Sequence, residues 1–521
     1  MNIRFRQPNW PWHPEKYRFP AEQMLLTLFP GEKPVYPDMA RPDALSRDPA
    51  GERSVVITLS RGGKFASVSA LVRLDGRSRS GMARFPAEKL DEREEQVYHT
   101  VSHALKQAFY RAGTALLGHG LPWGSLTGVR PVKLPTRAML AGKTAEQARR
   151  ELEREYRVSP PRAALAVECA QAALAVQKDL RKDGLALYLG VPFCPTRCAY
   201  CSFISADVKG SLALVEPYVD ALCREIKLAG ALLQENGLHI SSAYMGGGTP
   251  TTLSAGQLDR VLDCMRRSLP MERCTEFTVE AGRPDTLTAD KLKALRARGA
   301  GRISINPQTM EDRVLRAIGR DHTAAQVEAA CELAREHFGG MVNMDLIAGL
   351  PADTPPGFQR TLDRVLALEP ANITVHTLAL KKGSRITEEG GALPGPAEVE
   401  AMLELASDRL RGAGYAPYYL YRQKYMSGSF ENVGWSKPGA ACAYNIVMME
   451  ELQTVLSLGA GGITKLVDPD KKKIIRLNNP KYAKEYLESW DKIAVDKREA
   501  AAFQAAQRLK FRKKLDISKL H

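Results

Sequence analysis

The stretch Leu185-Ala-Leu-Tyr188-Leu-Gly190-Val-Pro-Phe-Cys194-Pro-Thr-Arg-Cys198-Ala-Tyr200-Cys201 decides how the chain is read. Residues Leu185 to Leu189 are an apolar run of strand length, which predicts a buried strand. That strand runs into three cysteines spaced C-x3-C-x2-C. Three thiolates on a short loop after a strand suit iron–sulfur ligation. A cubane cluster with only three protein ligands leaves one iron open, and an open iron can bind and activate a further molecule. Two other readings stand beside this one: ordinary buried thiols, or part of a zinc site. Structural zinc takes four ligands, usually as two knuckles. No second knuckle follows here, and no histidine lies near the loop.

Outward from that loop the pattern alternates between apolar strands and helices. The expected strands are 185–191, 241–246, 277–282, 303–306, 342–346 and 373–380, with helical stretches at 215–233, 255–268, 289–298, 325–337 and 358–368. Apolar strands separated by helices imply a parallel sheet with crossover helices, an α/β fold whose chemistry gathers at the C-terminal strand ends. The chain's unusual residues recur at those ends. The second strand ends in Met245-Gly-Gly247-Gly248-Thr249-Pro-Thr251, where glycines let backbone approach a ligand. The third ends in Thr278-Val-Glu280-Ala-Gly282, and the fourth in Ser304-Ile-Asn306-Pro-Gln308, with Arg320 further on. The fifth carries Asp345, and the sixth His376 and Ala379. Several polar groups converging on one rim beside a cysteine loop define a candidate site.

The flanks are plainer. Residues 1–180 read as an α+β domain of unknown role, with strands at 54–59, 65–72 and 81–85 and helices at 92–117, after Thr144, and at 161–180. Trp123-Gly-Ser-Leu-Thr-Gly-Val-Arg130-Pro reads as a packing loop. Residues 181–383 form the barrel region and 384–521 a smaller α+β region. The 521 residues are 44% hydrophobic and 26% charged, as in globular proteins, and no apolar run approaches the ~18 residues that cross a membrane. The remaining six cysteines are scattered and read as reduced core residues, so a cytoplasmic location is expected. A net charge of +15 favours anionic partners, but no nucleic-acid module is present, and the basic run Arg508–Lys514 reads as a solvated tail.

Several motifs together carry a family resemblance. C-x3-C-x-aromatic-C resembles the signature of radical S-adenosylmethionine (SAM) enzymes. Tyr188-x-x-x-Pro-Phe-Cys194, Gly246-Gly-Gly-Thr-Pro-Thr251, Thr278-Val-Glu280, Gln308…Arg320 and Asp345-Leu-Ile-x-Gly-Leu-Pro351 occur in the order of the oxygen-independent coproporphyrinogen III oxidase family. The long N-terminal region, Val279–Pro284, His376–Lys381 and Tyr421-Arg-Gln-Lys424 look most like its coproporphyrinogen dehydrogenase branch. The resemblance implies a partial (β/α)6 TIM-like barrel, with the 384–521 region covering substrate. It implies that Cys194, Cys198 and Cys201 hold a 4Fe-4S cluster. Tyr188, Gly247, Glu280 and, less directly, Ile463 would contact the SAM on the cluster. A second SAM, as in the family's anaerobic oxidases, would meet Tyr200, Gly248, Thr249, Gln308, Arg320, Asp345 and Ala379.

The implied reaction is oxidative decarboxylation of coproporphyrinogen III to protoporphyrinogen IX by a 5′-deoxyadenosyl radical, with electrons from a flavodoxin- or ferredoxin-type donor. Arg320, Arg422 and Lys424 are the expected partners for substrate carboxylates. The family's haem chaperones are one alternative, and a radical SAM methyltransferase is another. The chain departs from the family in two places. Gly190 stands where relatives commonly carry histidine, and His322 or His376 are the replacements at hand, although each reads first as a structural histidine. The chaperones' His-Asn-x-x-Tyr-Trp stretch is here Tyr444-Asn-Ile-Val-Met-Met449. That leaves Cys442 and Tyr444 as formal haem-ligand candidates whose expected role is packing.

Overall fold

The computed structural model describes residues 1–6, 13–36, 53–201, 206–207, 209–380, 384, 386, 393–423, 427–468 and 473–518. Lys424 lies outside them. The chain divides into two compact units, Met1–Val167 and Glu168–His521.

The first unit is built on a four-stranded sheet of β1 (Asn2–Arg6), β2 (Ser54–Arg61), β3 (Phe65–Leu74) and β4 (Arg77–Pro86), in that order. β1 runs parallel to β2, and the other pairs are antiparallel. Val55, Ile57 and Leu59 of β2 and Ala66, Val68, Ala70 and Val72 of β3 alternate into one core with Val101, Leu105 and Phe109 of the helix Glu94–Leu117. The strand β1 was not expected from its charged sequence; its buried Ile3 and Phe5 are too few to mark a strand without the partner. Thr144 forms a reciprocal cap with Gln147, and Trp123 and Leu126 of the turn-rich loop are buried as packing residues.

The second unit carries one eleven-stranded sheet. Its strands are β5 (Gly184–Val191), β8 (His239–Gly247), β9 (Glu276–Glu280), β10 (Arg302–Ser304), β11 (Met341–Ala348), β12 (Asn372–Thr377), β13 (Ala416–Arg422), β14 (Glu431–Ser436), β15 (Val455–Leu458), β16 (Ile463–Asp468) and β17 (Lys473–Asn478). The two-residue strands β6 (Phe193–Cys194) and β7 (Ala206–Asp207) pair separately. The six expected strands are there and all parallel, in the order β12-β11-β10-β9-β8-β5. Four of their crossover helices start at hydroxyl caps: Ser254 and Thr323 form capping boxes, and Thr288 and Thr354 accept from the next turn. The result is a partial (β/α)6 barrel. It is open, because β12 goes on to antiparallel β14 and β13, and β5 goes on to β15, β16 and β17.

β15 is a seventh parallel strand, with Ser457 opposite Tyr188. The loop after it packs directly on the strand that leads to the cysteines. A Cβ at Gly190 would sit 2.6 Å from the Ala460 carbonyl oxygen, and one at Gly459 would sit 2.3 Å from the Gly190 carbonyl oxygen. Tyr218 closes the contact, donating to Gly190 O at 2.5 Å while its own oxygen accepts from Ala460 N at 3.0 Å. A side chain at position 190 would run into this backbone, so the histidine expected from the resemblance has no room here. Glu225 anchors the same loop. It is fully buried and accepts from Gly459 N (2.7 Å), Tyr486 Oη (2.6 Å) and Asn479 Nδ2 (2.9 Å), beside Lys497 Nζ at 3.1 Å.

Candidate active site

The site lies at the C-terminal ends of the parallel strands. After β5, Pro192 turns the chain into the cysteine loop, and the glycines after β8 close against it. Gly248 N donates to Val191 O and Thr249 N to Phe193 O, both at 2.7 Å. A Cβ at Gly248 would meet the Phe193 carbonyl oxygen at 2.4 Å, so only glycine allows this approach. Thr249 Oγ1 then reaches Cys194 Sγ at 3.6 Å.

A cleft enclosing about 1310 Å³ of space, its open mouth included, is lined by Cys194, Cys198, Cys201, Tyr200, Gly247, Gly248, Thr249, Glu280, Gln308, Arg320, Asp345 and Ala379. These are all the residues that the resemblance assigned to the cluster and the two SAM sites except two. Tyr188 stands just behind this wall: its ring stacks on Tyr244 (centroids 6.4 Å), and its hydroxyl lies near Gly247. Ile463 is at the start of β16, 41% exposed, and is not part of the lining.

Three local arrangements set the electrostatics. Glu280 at the end of β9 accepts from Tyr244 Oη at 2.8 Å. Burial, with repulsion from Asp345, pushes its carboxyl up to about 7 against the pull of Tyr244 and the Gly247 amide. Arg320 is buried and donates to Asn306 O (2.7 Å), Gly282 O (3.4 Å) and Tyr200 Oη (3.1 Å). Burial opposes its charge, but Tyr200 and Cys198 outweigh that and hold the guanidinium protonated. Asp345 stands 3.7 Å from His376 Nε2, and the other ring nitrogen lies 3.4 Å from Tyr421 Oη. Gln308 is held at positive φ (+66°) by backbone bonds to Asp345 and Ile347, which aims its amide into the cleft.

The donor set fits the cofactors that the motif implies. Three thiols share the mouth with a glycine-rich backbone cradle, which suits a cluster and an amino-acid ligand together. The buried side-chain atoms Asn306 Oδ1, Gln308 Oε1 and Arg320 Nε have no protein partner among the described residues, as polar ligand-binding groups require. Among the described residues no three His, Cys, Asp or Glu side chains draw together around one metal ion.

Other residues had to be found from the structure. Arg283, 3% exposed, donates to Thr196 Oγ1 at 2.9 Å and lies 3.9 Å from Cys198 Sγ. Its only sequence signal was its place inside Val279–Pro284. Asn432 and Gln423 line the far wall, and Asn432 Oδ1 accepts from Thr377 N at 3.0 Å. Arg422 turns away from the cleft and donates to Ser429 O at 2.8 Å. His322 is 2% exposed with neither ring nitrogen partnered among the described residues, so it is not a satisfied structural histidine. Burial and then Arg320 and Arg283 push it down to about 3. Cys442 gives its thiol to Glu276 at 3.0 Å, and Tyr444 is buried in a stack on Tyr244 (4.8 Å). Neither is among the residues that line the cleft.

Comparison with known proteins agrees with this geometry. The family description Radical SAM superfamily matches residues 188–365. The chain is 39% identical over 406 residues to the oxygen-independent coproporphyrinogen-III oxidase-like protein HemZ of Bacillus subtilis, covering 77% of this chain and 81% of that protein. It is 32% identical over 236 residues to the haem chaperone HemW of the same organism, covering 44% of this chain and 61% of HemW. The solved structure of coproporphyrinogen III oxidase HemN from Escherichia coli, a radical SAM enzyme, aligns at 26% identity with a TM-score of 0.49, over 62% of this chain and 73% of HemN. The chain belongs to the oxygen-independent coproporphyrinogen III oxidase family within the radical SAM superfamily. Its cofactors are accordingly a 4Fe-4S cluster and SAM. Among the described residues no helix is long and apolar enough to cross a membrane.

Proposed function

We propose that the chain decarboxylates coproporphyrinogen III oxidatively, without oxygen, to protoporphyrinogen IX. The observation that carries the reading is the single cleft in which three thiols, the Gly247-Gly248-Thr249 backbone, Glu280, Arg320 and Asp345 meet. In this reading Cys194, Cys198 and Cys201 hold the cluster. Gly247 and Glu280, backed by Tyr188, receive the amino-acid end of the first SAM, with Ile463 an outlying contact. Tyr200, Gly248, Thr249, Gln308, Arg320, Asp345 and Ala379 would receive a second SAM.

When bound, cluster and SAM would supply a 5′-deoxyadenosyl radical able to remove a hydrogen atom from a propionate; loss of carbon dioxide and transfer of one electron to a one-electron acceptor would leave a vinyl group. The protein's own part is to bind, orient and exclude water. Glu280, balanced near neutrality, becomes a firm carboxylate once an ammonium lies against it. Arg320 offers a fixed cation for a carboxylate, its other donors already committed to backbone and Tyr200. Ile347 and Leu378 keep part of the wall apolar, and His376, Tyr421 and Gln423 offer hydrogen bonds to a polar tetrapyrrole. Among the described residues Arg283 and Arg320 are the cations on this wall.

The named chaperone relative keeps haem binding as the second reading. Against it, Cys442 and Tyr444 are engaged in packing. Haem titration of the reconstituted protein separates the two. Tight one-to-one haem binding with no conversion of coproporphyrinogen supports the chaperone. Formation of S-adenosylhomocysteine would instead mark a methyltransferase.

A further inference from the structure

Arg283 follows Gly282 on the loop that leaves β9, and its guanidinium is divided between two partners. On one side Nε and Nη2 face Asp285, at 3.0 and 3.4 Å. On the other, Nη1 donates to Thr196 Oγ1 at 2.9 Å and reaches Cys198 Sγ at 3.9 Å. Sulfur is a large atom, so this separation is within its hydrogen-bonding range. Thr196 and Cys198 both belong to the cysteine loop, and Arg283 thus ties the β9 loop to it. Cys194, by contrast, takes a neutral hydroxyl donor from Thr249 at 3.6 Å. A buried cation at one thiolate and a neutral donor at another make an asymmetric setting.

We propose that Arg283 is a positioning residue that tunes the electron affinity of the iron–sulfur centre through Cys198. The proposal rests on the reading of the three cysteines as cluster ligands. Reduction adds one electron, taken from a one-electron donor of the flavodoxin or ferredoxin class, and no proton. Negative charge on the thiolate sulfurs grows, and a charge-assisted donor gains strength as it does. Donors to ligand sulfurs and local burial are established levers on such potentials. Arg283 therefore favours the reduced state. Asp285 opposes it, but with its side chain 28% exposed against 3% for Arg283 its charge is better screened by solvent. The two residues form a pair of opposite sign, in which the cation itself reaches the sulfur.

The test is a potentiometric titration, followed by electron paramagnetic resonance, of the full-length protein reconstituted anaerobically with iron and sulfide. SAM and porphyrinogen are both left out. Arg283→Gln is expected to shift the one-electron equilibrium about tenfold toward the oxidised state, a fall of about 59 mV. Asp285→Asn is expected to move it the opposite way. An unchanged midpoint in Arg283→Gln at full iron content overturns the proposal. So does an unchanged or lowered midpoint in Asp285→Asn, which decides alone if Arg283→Gln fails to assemble a cluster. Cys198→Ala retaining a complete cluster would instead show that the ligand assignment is wrong. Because no porphyrinogen is present, the outcome is independent of the decarboxylation reading.

Discussion

Replacing Glu225 by Gln tests whether the buried ion pair behind the site holds the C-terminal segments to the barrel. The carboxylate is 0% exposed and Lys497 is 2% exposed, 3.1 Å away. Both oxygens are in use: Gly459 N and Tyr486 Oη converge on Oε2, and Asn479 Nδ2 and Lys497 on Oε1. Glutamine keeps one acceptor oxygen and turns an NH2 group toward two donors. Lys497 is then left with Asn479 Oδ1 at 3.1 Å as its near acceptor. Breaking a buried pair from one side costs roughly 3–5 kcal/mol, while replacing both members by neutral groups is often nearly neutral. Urea unfolding of Glu225→Gln, Lys497→Met and the double variant gives the three terms of a double-mutant cycle. Each single variant is expected to lose about 3–5 kcal/mol and the double variant to recover most of it. A single-variant loss below about 1 kcal/mol, the range of an exposed pair, or strictly additive losses, would refute the reasoning.

Three further outcomes follow from the geometry. Glu280 has its folded pKa raised from 4.5 to about 7, so its contribution to stability is full below pH 4.5 and is lost as pH rises through 7. Unfolding free energy of the apoprotein should fall by up to about 3 kcal/mol across that window, and Glu280→Gln should remove this part of the slope; superimposable pH profiles would count against it. Gly190→His, which restores the residue common in relatives, should destabilise by at least about 1–3 kcal/mol because Ala460 O occupies the side chain's place; a melting temperature equal to the parent's would contradict this. Tyr444→Phe removes a buried hydroxyl with no partner among the described residues and should raise stability by about 1 kcal/mol without altering haem titration, whereas lost haem affinity would make Tyr444 a ligand.

Much of the barrel was legible because short strand segments with apolar residues alternate with helical ones and four of its crossovers announce their helices with Ser or Thr caps. Parallel topology then placed the polar residues after β5, β8, β9, β10 and β11 on one rim without further information. What stayed hidden depends on contacts remote in sequence. β15 is four residues long, and nothing local marks Val455–Leu458 as the neighbour of β5. Gly190 reads as a lost histidine until the Ala460 carbonyl is seen in its way. Arg422 was expected in the cleft together with its neighbours, but successive strand residues face opposite ways: Tyr421 lines the cleft, and Arg422 bonds Ser429 on the other side. The reach of Arg283 to Cys198 depends on two loops that only the folded sheet brings together.

The most direct measurement is product analysis after anaerobic reconstitution, chemical reduction, and incubation with SAM and coproporphyrinogen III. Protoporphyrinogen IX, methionine and 5′-deoxyadenosine are expected together, and Cys198→Ala should yield none of them. Haem bound one-to-one with coproporphyrinogen left untouched, or a Cys198→Ala variant as active as the parent, would contradict the central claim.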